Sequence, residues 1–391
     1  MKRAGAVWRV QNRVLPALIA IAVAAGCGLS FLSHAPNRIV PGRPLPLHAV
    51  ADAATLWGLG LLAAGLLALA FRRPGRSTNV LIGAGLLAAL LLVLATAGTG
   101  AAALASPEVP AARVSLGPAF WLILAAIALA FIDLVQQTGL STRARLLLAI
   151  AVLAPVVGMA ALGCFDALSL AREYRSRSDV FASAFRQHLF LVATTALIAT
   201  SLGVPLGISA ARHPRFRARL FAVLNIVQTV PSIALFGLLI GPLSALAEAL
   251  PWLKTLGIAG IGATPALIAL VFYALLPLVR NTVTGLDAVP VATIDAANGI
   301  GMRRNQILLQ VSLPMALPVI MAGLRIVVVQ TIGLAVVAAL IGAGGLGAFV
   351  FQGLGQNALD LVLLGVIPTI LLALASDAAF SALAGSEELK P

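Results

Sequence analysis

The sequence predicts an all-α polytopic membrane protein with about ten transmembrane helices, and three observations carry that prediction. Apolar residues make up 61% of the 391-residue chain and charged residues 10%, against about 45–50% and about 25% in soluble domains. The apolar residues gather in runs near the roughly 20 that a helix needs to cross a hydrocarbon core of about 30 Å. No strand-period alternation marks a membrane β-barrel.

Taken in order, the runs lie at 14–33, 49–71, 79–104, 117–135, 146–168, 188–210, 219–246, 264–280, 315–341 and 358–382. Their glycines and prolines do not argue against helix, because neighbouring helices satisfy the freed backbone groups within a membrane. The first run follows Lys2, Arg3, Arg9 and Arg13 and passes through Ala24-Ala25-Gly26-Cys27, a pattern similar to a lipoprotein signal. Residue 24 is Ala where such signals usually carry Leu, and the run continues to Leu32, so an uncleaved first span is expected. In the third run, Gly83, Gly85, Gly98 and Gly100 suit close helix packing. Residues 1–168 therefore read as a five-helix membrane segment, and residues 188–391 as a second part holding five more spans.

Between them, 169–187 carries Arg172, Arg175, Arg177 and Arg186. Phe181 and Phe185 are four apart and share a helical face, which fits an interfacial amphipathic helix; a solvated connector is the other reading. With ten spans and a cytoplasmic amino terminus, 17 of the 26 Lys and Arg fall on the inner side and 8 on the outer, Arg325 alone lying within a span. That bias puts both termini and the 281–314 loop in the cytoplasm. The net charge of +13 reads as topology and contact with anionic lipid. No nucleic-acid partner is expected, since no basic stretch is interleaved with stacking aromatics.

Several chemistries find no residues. None of Lys2, Lys254 and Lys390 follows a Gly, so the chain has no phosphate-binding G-x4-G-K loop. The four histidines form no metal-ligand spacing, and Cys27 and Cys164 form no disulfide framework. No catalytic arrangement, metal or cofactor is expected.

One loop carries most information. Residues 295–314 read Asp-Ala-Ala, three residues, Gly301, nine residues, then Val-Ser-Leu-Pro. Pro290 suits the first turn of a short helix, Asp295, Ala296 and Ala297 continue it with small side chains, and Gly299 and Gly301 end or turn it. Residues 302–312 are expected to form a second short helix, with Leu313 and Pro314 opening the next span. This spacing resembles the E-A-A-x3-G-x9-I-x-L-P loop of permease subunits of binding-protein-dependent ABC importers. Further segments narrow the resemblance to the osmoprotectant class, which imports glycine betaine, choline or carnitine. They are 188–192 (His-Leu-Phe-Leu-Val), 203–208 (Gly-Val-Pro-Leu-Gly-Ile), 225–232 (Asn-Ile-Val-Gln-Thr-Val-Pro-Ser), 273–282 (Tyr-Ala-Leu-Leu-Pro-Leu-Val-Arg-Asn-Thr) and 341–347 (Ile-Gly-Ala-Gly-Gly-Leu-Gly). The first five spans resemble a longer subgroup of that class.

The resemblance implies a permease of the bacterial inner membrane that works with two ATPases, a second permease and an extracytoplasmic binding protein, by alternating access. It implies that Asp295, Ala296, Ala297, Gly299, Gly301, Leu313 and Pro314 couple the chain to its ATPase. Asp295 departs from the usual Glu, and Asn298 stands where such permeases often have Arg. Asn225, Gln228, Thr229 and Ser232 surround Pro231 within one span, and Gln330 and Thr331 lie mid-span in another. They read either as a polar lining for a zwitterion in transit or as interhelical hydrogen bonding. The glycines of 342–347 read as a flexible turn near the outer end of the pathway. At 5% aromatics the chain shows no aromatic cage for a quaternary ammonium, so selectivity is expected mainly in the binding protein. The alternatives are an importer of methionine or a sulfonate, and an ion-coupled secondary transporter, which lacks the support of an internal repeat.

Overall fold

The computed structural model describes residues 12–37, 40–73, 75–105, 109, 111–255 and 257–385. Lys2, Arg3, Arg9, Arg38 and Lys390, which enter the charge count above, lie outside the described residues. The chain is an all-α polytopic membrane protein built as two compact units, Met1–Ser176 and Arg177–Pro391.

The first unit begins with α1 (Val14–Gly28), whose first N–H groups, on Val14 and Leu15, donate to the Asn12 side chain at 2.9 and 3.0 Å. A short strand, β1 (Ser30–Ala35), follows; β2 (Arg43–Pro46), α2 (Leu47–Val50), α3 (Ala53–Ala70), α4 (Arg76–Leu104) and β3 (Arg113–Leu116) come next. Then come α5 (Pro118–Thr138), α6 (Thr142–Ala161) and α7 (Ser169–Ser176). The strands form a small antiparallel sheet of order β2-β1-β3. Its central strand buries Phe31 and Leu32 completely, Phe31 meeting Phe120 of α5 edge to face at 5.9 Å. The proline-bearing strand, Pro44 and Pro46 in β2, sits at the edge, where a missing N–H costs the sheet nothing.

Two expected spans come out shorter here. The 14–33 run stops helically at Gly28 because Ser30–Ala35 pairs as a strand, and the 146–168 run stops helically at Ala161, the end of α6. The fifteen residues of α1 rise about 22 Å, short of a hydrocarbon core of about 30 Å. The other eight runs contain helices long and apolar enough to cross. Close packing explains glycines in α4: a Cβ on Gly98 would stand 2.3 Å from the Cys164 carbonyl oxygen, and one on Gly100 2.2 Å from a Val50 methyl.

The 169–187 segment is not one helix. It divides between α7 and the first turns of α8 (Ser178–Arg212), and three of its arginines have partners. Arg172 donates to the Ala112 carbonyl at 3.2 Å, Arg175 pairs with Asp166, and Arg177 donates to Gln352 at 3.2 Å. The Asp166 carboxylate holds the Arg175 guanidinium above its ordinary pKa. The Phe181 and Phe185 rings stack at 6.2 Å, and Phe181 also meets Phe349 at 6.0 Å, so that face packs inside the second unit.

The second unit continues with α9 (Pro214–Thr229), α10 (Ser232–Ala249), α11 (Trp252–Thr255), α12 (Ala263–Asp287), α13 (Val291–Gly299) and α14 (Arg304–Gln306). A π-turn at Ile307–Ser312 leads into α15 (Leu313–Val337), followed by a 3-10 turn at Ala338–Ile341, α16 (Gly347–Gly355) and α17 (Leu359–Gly385). The expected single span at 219–246 is therefore broken, because Pro231 cannot continue α9. Helix α12 is the hub, with two-thirds of its span buried between α8 and α15. It lies close to both: a Cβ on Gly207 of α8 would fall 2.6 Å from Thr282 Cβ, and one on Gly323 of α15 2.6 Å from Asn281 Cβ. The contact with α8 gives the two glycines of the 203–208 segment, Gly203 and Gly207, both buried, a packing reason.

Candidate functional site

Helix α13 stands between the ends of α12 and α15, starting at its N-cap Pro290. Asp295, Ala296 and Gly299 are exposed, Ala297 is buried, and two large apolar side chains, Val291 and Ile300, are 71% and 80% exposed. The helix ends in a Schellman turn. The Gly301 N–H donates to the Asn298 carbonyl at 2.9 Å and the Met302 N–H to the Ala297 carbonyl at 3.1 Å, with Gly301 at φ +84°. The two glycines therefore differ: Gly299 is the last helical residue, and Gly301 alone takes the left-handed conformation.

The expected separate helix at 302–312 is instead continuous with the following span. Gln306 accepts the Arg303 N–H at 2.8 Å and starts α14, and the chain then passes through the π-turn into α15. Pro314 has no N–H for the Gln310 carbonyl and its ring crowds that carbonyl; widening the preceding turn relieves the conflict. Leu313 is half-buried against the α12–α15 core, and Pro314 is exposed. Arg217 of α9 pairs with Asp287 at the end of α12 at 2.8 Å, fixing the platform from which α13 departs.

The break between α9 and α10 is tied to α12 by two reciprocal hydrogen bonds. Pro277 leaves the Tyr273 carbonyl without its usual donor four residues on, and the Gln228 amide donates to it at 2.7 Å. The Tyr273 hydroxyl in turn donates to the Val230 carbonyl, which the break leaves open. Thr229 bonds back to the Ile226 carbonyl at 2.7 Å, and Arg280 reaches the exposed Asn225 at 3.5 Å. Ser232 is half-buried in the first turn of α10. Gln330 and Thr331 lie apart on α15, half-buried and buried respectively, and among the described residues no hydrogen bond joins them to the break.

Tyr273 was missed as a partner of this group, although its place four residues before Pro277 is a usable signal. Asp377 was missed too: it accepts from Arg325 at 2.6 Å, tying α15 to α17 across 52 residues. The glycine turn at 342–347 is pinned to α8. Gln187 accepts the Gly345 N–H at 3.3 Å, and Gly342, Gly344 and Gly345 all have positive φ. A Cβ on Gly344 would stand 2.2 Å from the Gln187 oxygen.

Two family models match the chain. One, described as ABC transporter permease YehY, N-terminal domain, covers residues 11–171, and the other, binding-protein-dependent transport system inner membrane component, covers 203–386. The osmoprotectant import permease protein OsmW of Salmonella typhimurium is 41% identical over 196 residues, which span 50% of this chain and 86% of that protein. The chain belongs to the permease family of binding-protein-dependent ABC transporters. A second relative of this permease is the glycine betaine/carnitine/choline transport system permease protein OpuCD of Bacillus subtilis, 35% identical over 205 residues, 52% of this chain and 82% of that one. Among solved structures, an inward-facing MetNI methionine ABC transporter is 21% identical with a TM-score of 0.44, covering 53% of this chain and 97% of the other. Both relatives, like the spacing of the loop, correspond in length to about the second unit of the permease.

Proposed function

We propose that this permease carries a small zwitterionic osmoprotectant such as glycine betaine across the bacterial inner membrane, in both-termini-inside topology, driven by a separate ATPase. The observation that carries the proposal is α13: a short helix between two spans whose exposed side holds Val291, Asp295, Ala296 and Ile300. Small side chains let a groove approach closely, and the two exposed apolar residues offer it area to bury. In this reading α13 seats in the ATPase as a coupling helix, and its rigid turn at Gly301 passes the motion through the π-turn to α15. A second permease completes the pathway, and the binding protein supplies most of the selectivity. The substrate class rests on the relatives' printed substrates and on the 225–232 and 273–282 segments. Asp295 in place of Glu shortens the carboxylate's reach and makes its polar contact with the ATPase closer to the α13 backbone. Residues 1–168 take no assigned part in transport.

The test is uptake of labelled glycine betaine into vesicles holding this chain, its co-purified ATPase and its binding protein. ATP- and binding-protein-dependent uptake is the expected result. An assembled complex whose ATPase answers the binding protein without betaine uptake would remove betaine as substrate. Failure of any ATPase to co-purify would remove the coupling role of α13.

A further inference from the structure

A cavity of about 590 Å³ lies under the coupling loop, where α8 and α12 end and α13, α14 and the π-turn pass over them. Arg212 and His213 line it from the end of α8, Asp287 from the end of α12, Asn298 from α13, and Arg304 and Asn305 from α14. The carboxylate there is already taken: Asp287 pairs with Arg217 at 2.8 Å. Neither Arg212 nor Arg304 has a carboxylate partner among the described residues, so the cavity keeps two uncompensated guanidinium groups and two side-chain amides. His213 keeps one ring nitrogen on the Ser209 carbonyl at 3.1 Å, leaving the other free.

We propose that this cavity binds a phosphate-bearing anion, with Arg212 and Arg304 as its charged clamp. Guanidinium forks match phosphate oxygens in geometry and charge, and amide donors complete the remaining acceptors. The groove is open, and Arg212, His213, Asn298, Arg304 and Asn305 are all exposed, so a headgroup or a free anion can enter it from solvent. It also sits where two spanning helices end, on the side that the topology proposed above puts in the cytoplasm, where anionic headgroups and free anions are both at hand. Phosphate reaches that level either as the headgroup of an anionic lipid or as a free anion. Either would bridge Arg212 on a span to Asn298 and Arg304 on the loop, steadying α13. That effect on coupling rests on the function proposed above; the binding does not.

The experiment is native mass spectrometry of the purified complex taken from bilayers mixing phosphatidylglycerol with phosphatidylcholine, repeated with added inorganic phosphate. Wild type is expected to retain phosphatidylglycerol preferentially, and Arg212→Gln with Arg304→Gln to lower that retention about tenfold or more. Asp287→Asn removes a repelling charge and releases Arg217, so it is expected to raise retention several-fold, a gain that misfolding does not produce. Displacement of the lipid by inorganic phosphate, with the same dependence on the arginines, assigns the site to the free anion. Equal retention in wild type and all variants, or no preference over phosphatidylcholine, overturns the proposal. So does cross-linking from Arg304→Cys into the ATPase, which would make the cavity a protein contact. If no ATPase co-purifies, the coupling function fails, and lipid retention by the chain alone still decides this site.

Discussion

Replacing Gly301 by Ala isolates the conformational demand of the turn that ends α13. Gly301 holds φ +84°, and a Cβ placed there meets nothing within 4 Å, so the substitution adds no clash, only backbone cost. An L-residue in the left-handed region loses about 1–2 kcal/mol. The Schellman turn also fixes the Asn298 and Ala297 carbonyls, so a residue that refuses this φ releases both bonds and frays α13 from its C-terminal end. A cost of that size lowers the population of the capped turn about 5- to 30-fold relative to its uncapped forms. Gly299 is the internal control. It is helical and equally open, and Ala there is neutral or favourable by about 0.5–1 kcal/mol. The assay is binding-protein-stimulated ATPase activity and solute uptake by the reconstituted complex, with monodisperse elution as the check on folding. Gly301→Ala should depress coupling several-fold, Gly301→Asn less, since Asn tolerates this region, and Gly299→Ala not at all. Equal effects of Gly301→Ala and Gly299→Ala would refute the reasoning, because both positions are open and only Gly301 needs the left-handed conformation.

Other substitutions test the packing that positions this loop. Tyr273→Phe should cost about 0.6–2 kcal/mol and lower the melting temperature in detergent, while Gln228→Leu should cost about 1–3 kcal/mol by leaving the Tyr273 carbonyl without a donor. Arg325→Leu alone should destabilise more than the pair Arg325→Leu with Asp377→Leu, since the single change strands a carboxylate within a span; a coupling energy under about 0.5 kcal/mol in the double-mutant cycle would argue against a working pair. Gly207→Val drives side-chain atoms into Thr282 and should cost about 1–3 kcal/mol, read as a lower unfolding temperature with no change at the exposed Gly237→Val.

Spans were legible because the cost of burying a polar backbone in lipid is local to each run of about 20 residues. The runs at 49–71, 79–104 and 358–382 needed no knowledge of their neighbours; α3, α4 and α17 lie on them. The ends were harder. Leu29 to Ser33 is apolar enough to extend a helix, and only pairing with β2 and β3, whose partners lie 9 to 84 residues away in sequence, turned it into a strand. Pro231 announced a possible break, yet whether a proline kinks or ends a helix depends on what receives the freed carbonyls. Here the Tyr273 hydroxyl donates to the Val230 carbonyl from 43 residues away, and Gln228 beside the break donates in return to the Tyr273 carbonyl that Pro277 frees.

By itself the sequence determined a helical membrane protein, the orientation bias of its charges, and a loop whose residue spacing resembles that of importer permeases. These rest on hydropathy, charge and short-range backbone chemistry, all of which act between residues a few positions apart. Only the tertiary structure decided that Gly301 and not Gly299 makes the left-handed turn, that Arg325 is paired within the chain, and that two arginines converge on one cavity. Hydrogen bonds and ion pairs reach only about 3–4 Å, so their partners follow from how helices pack and leave no trace in local pattern.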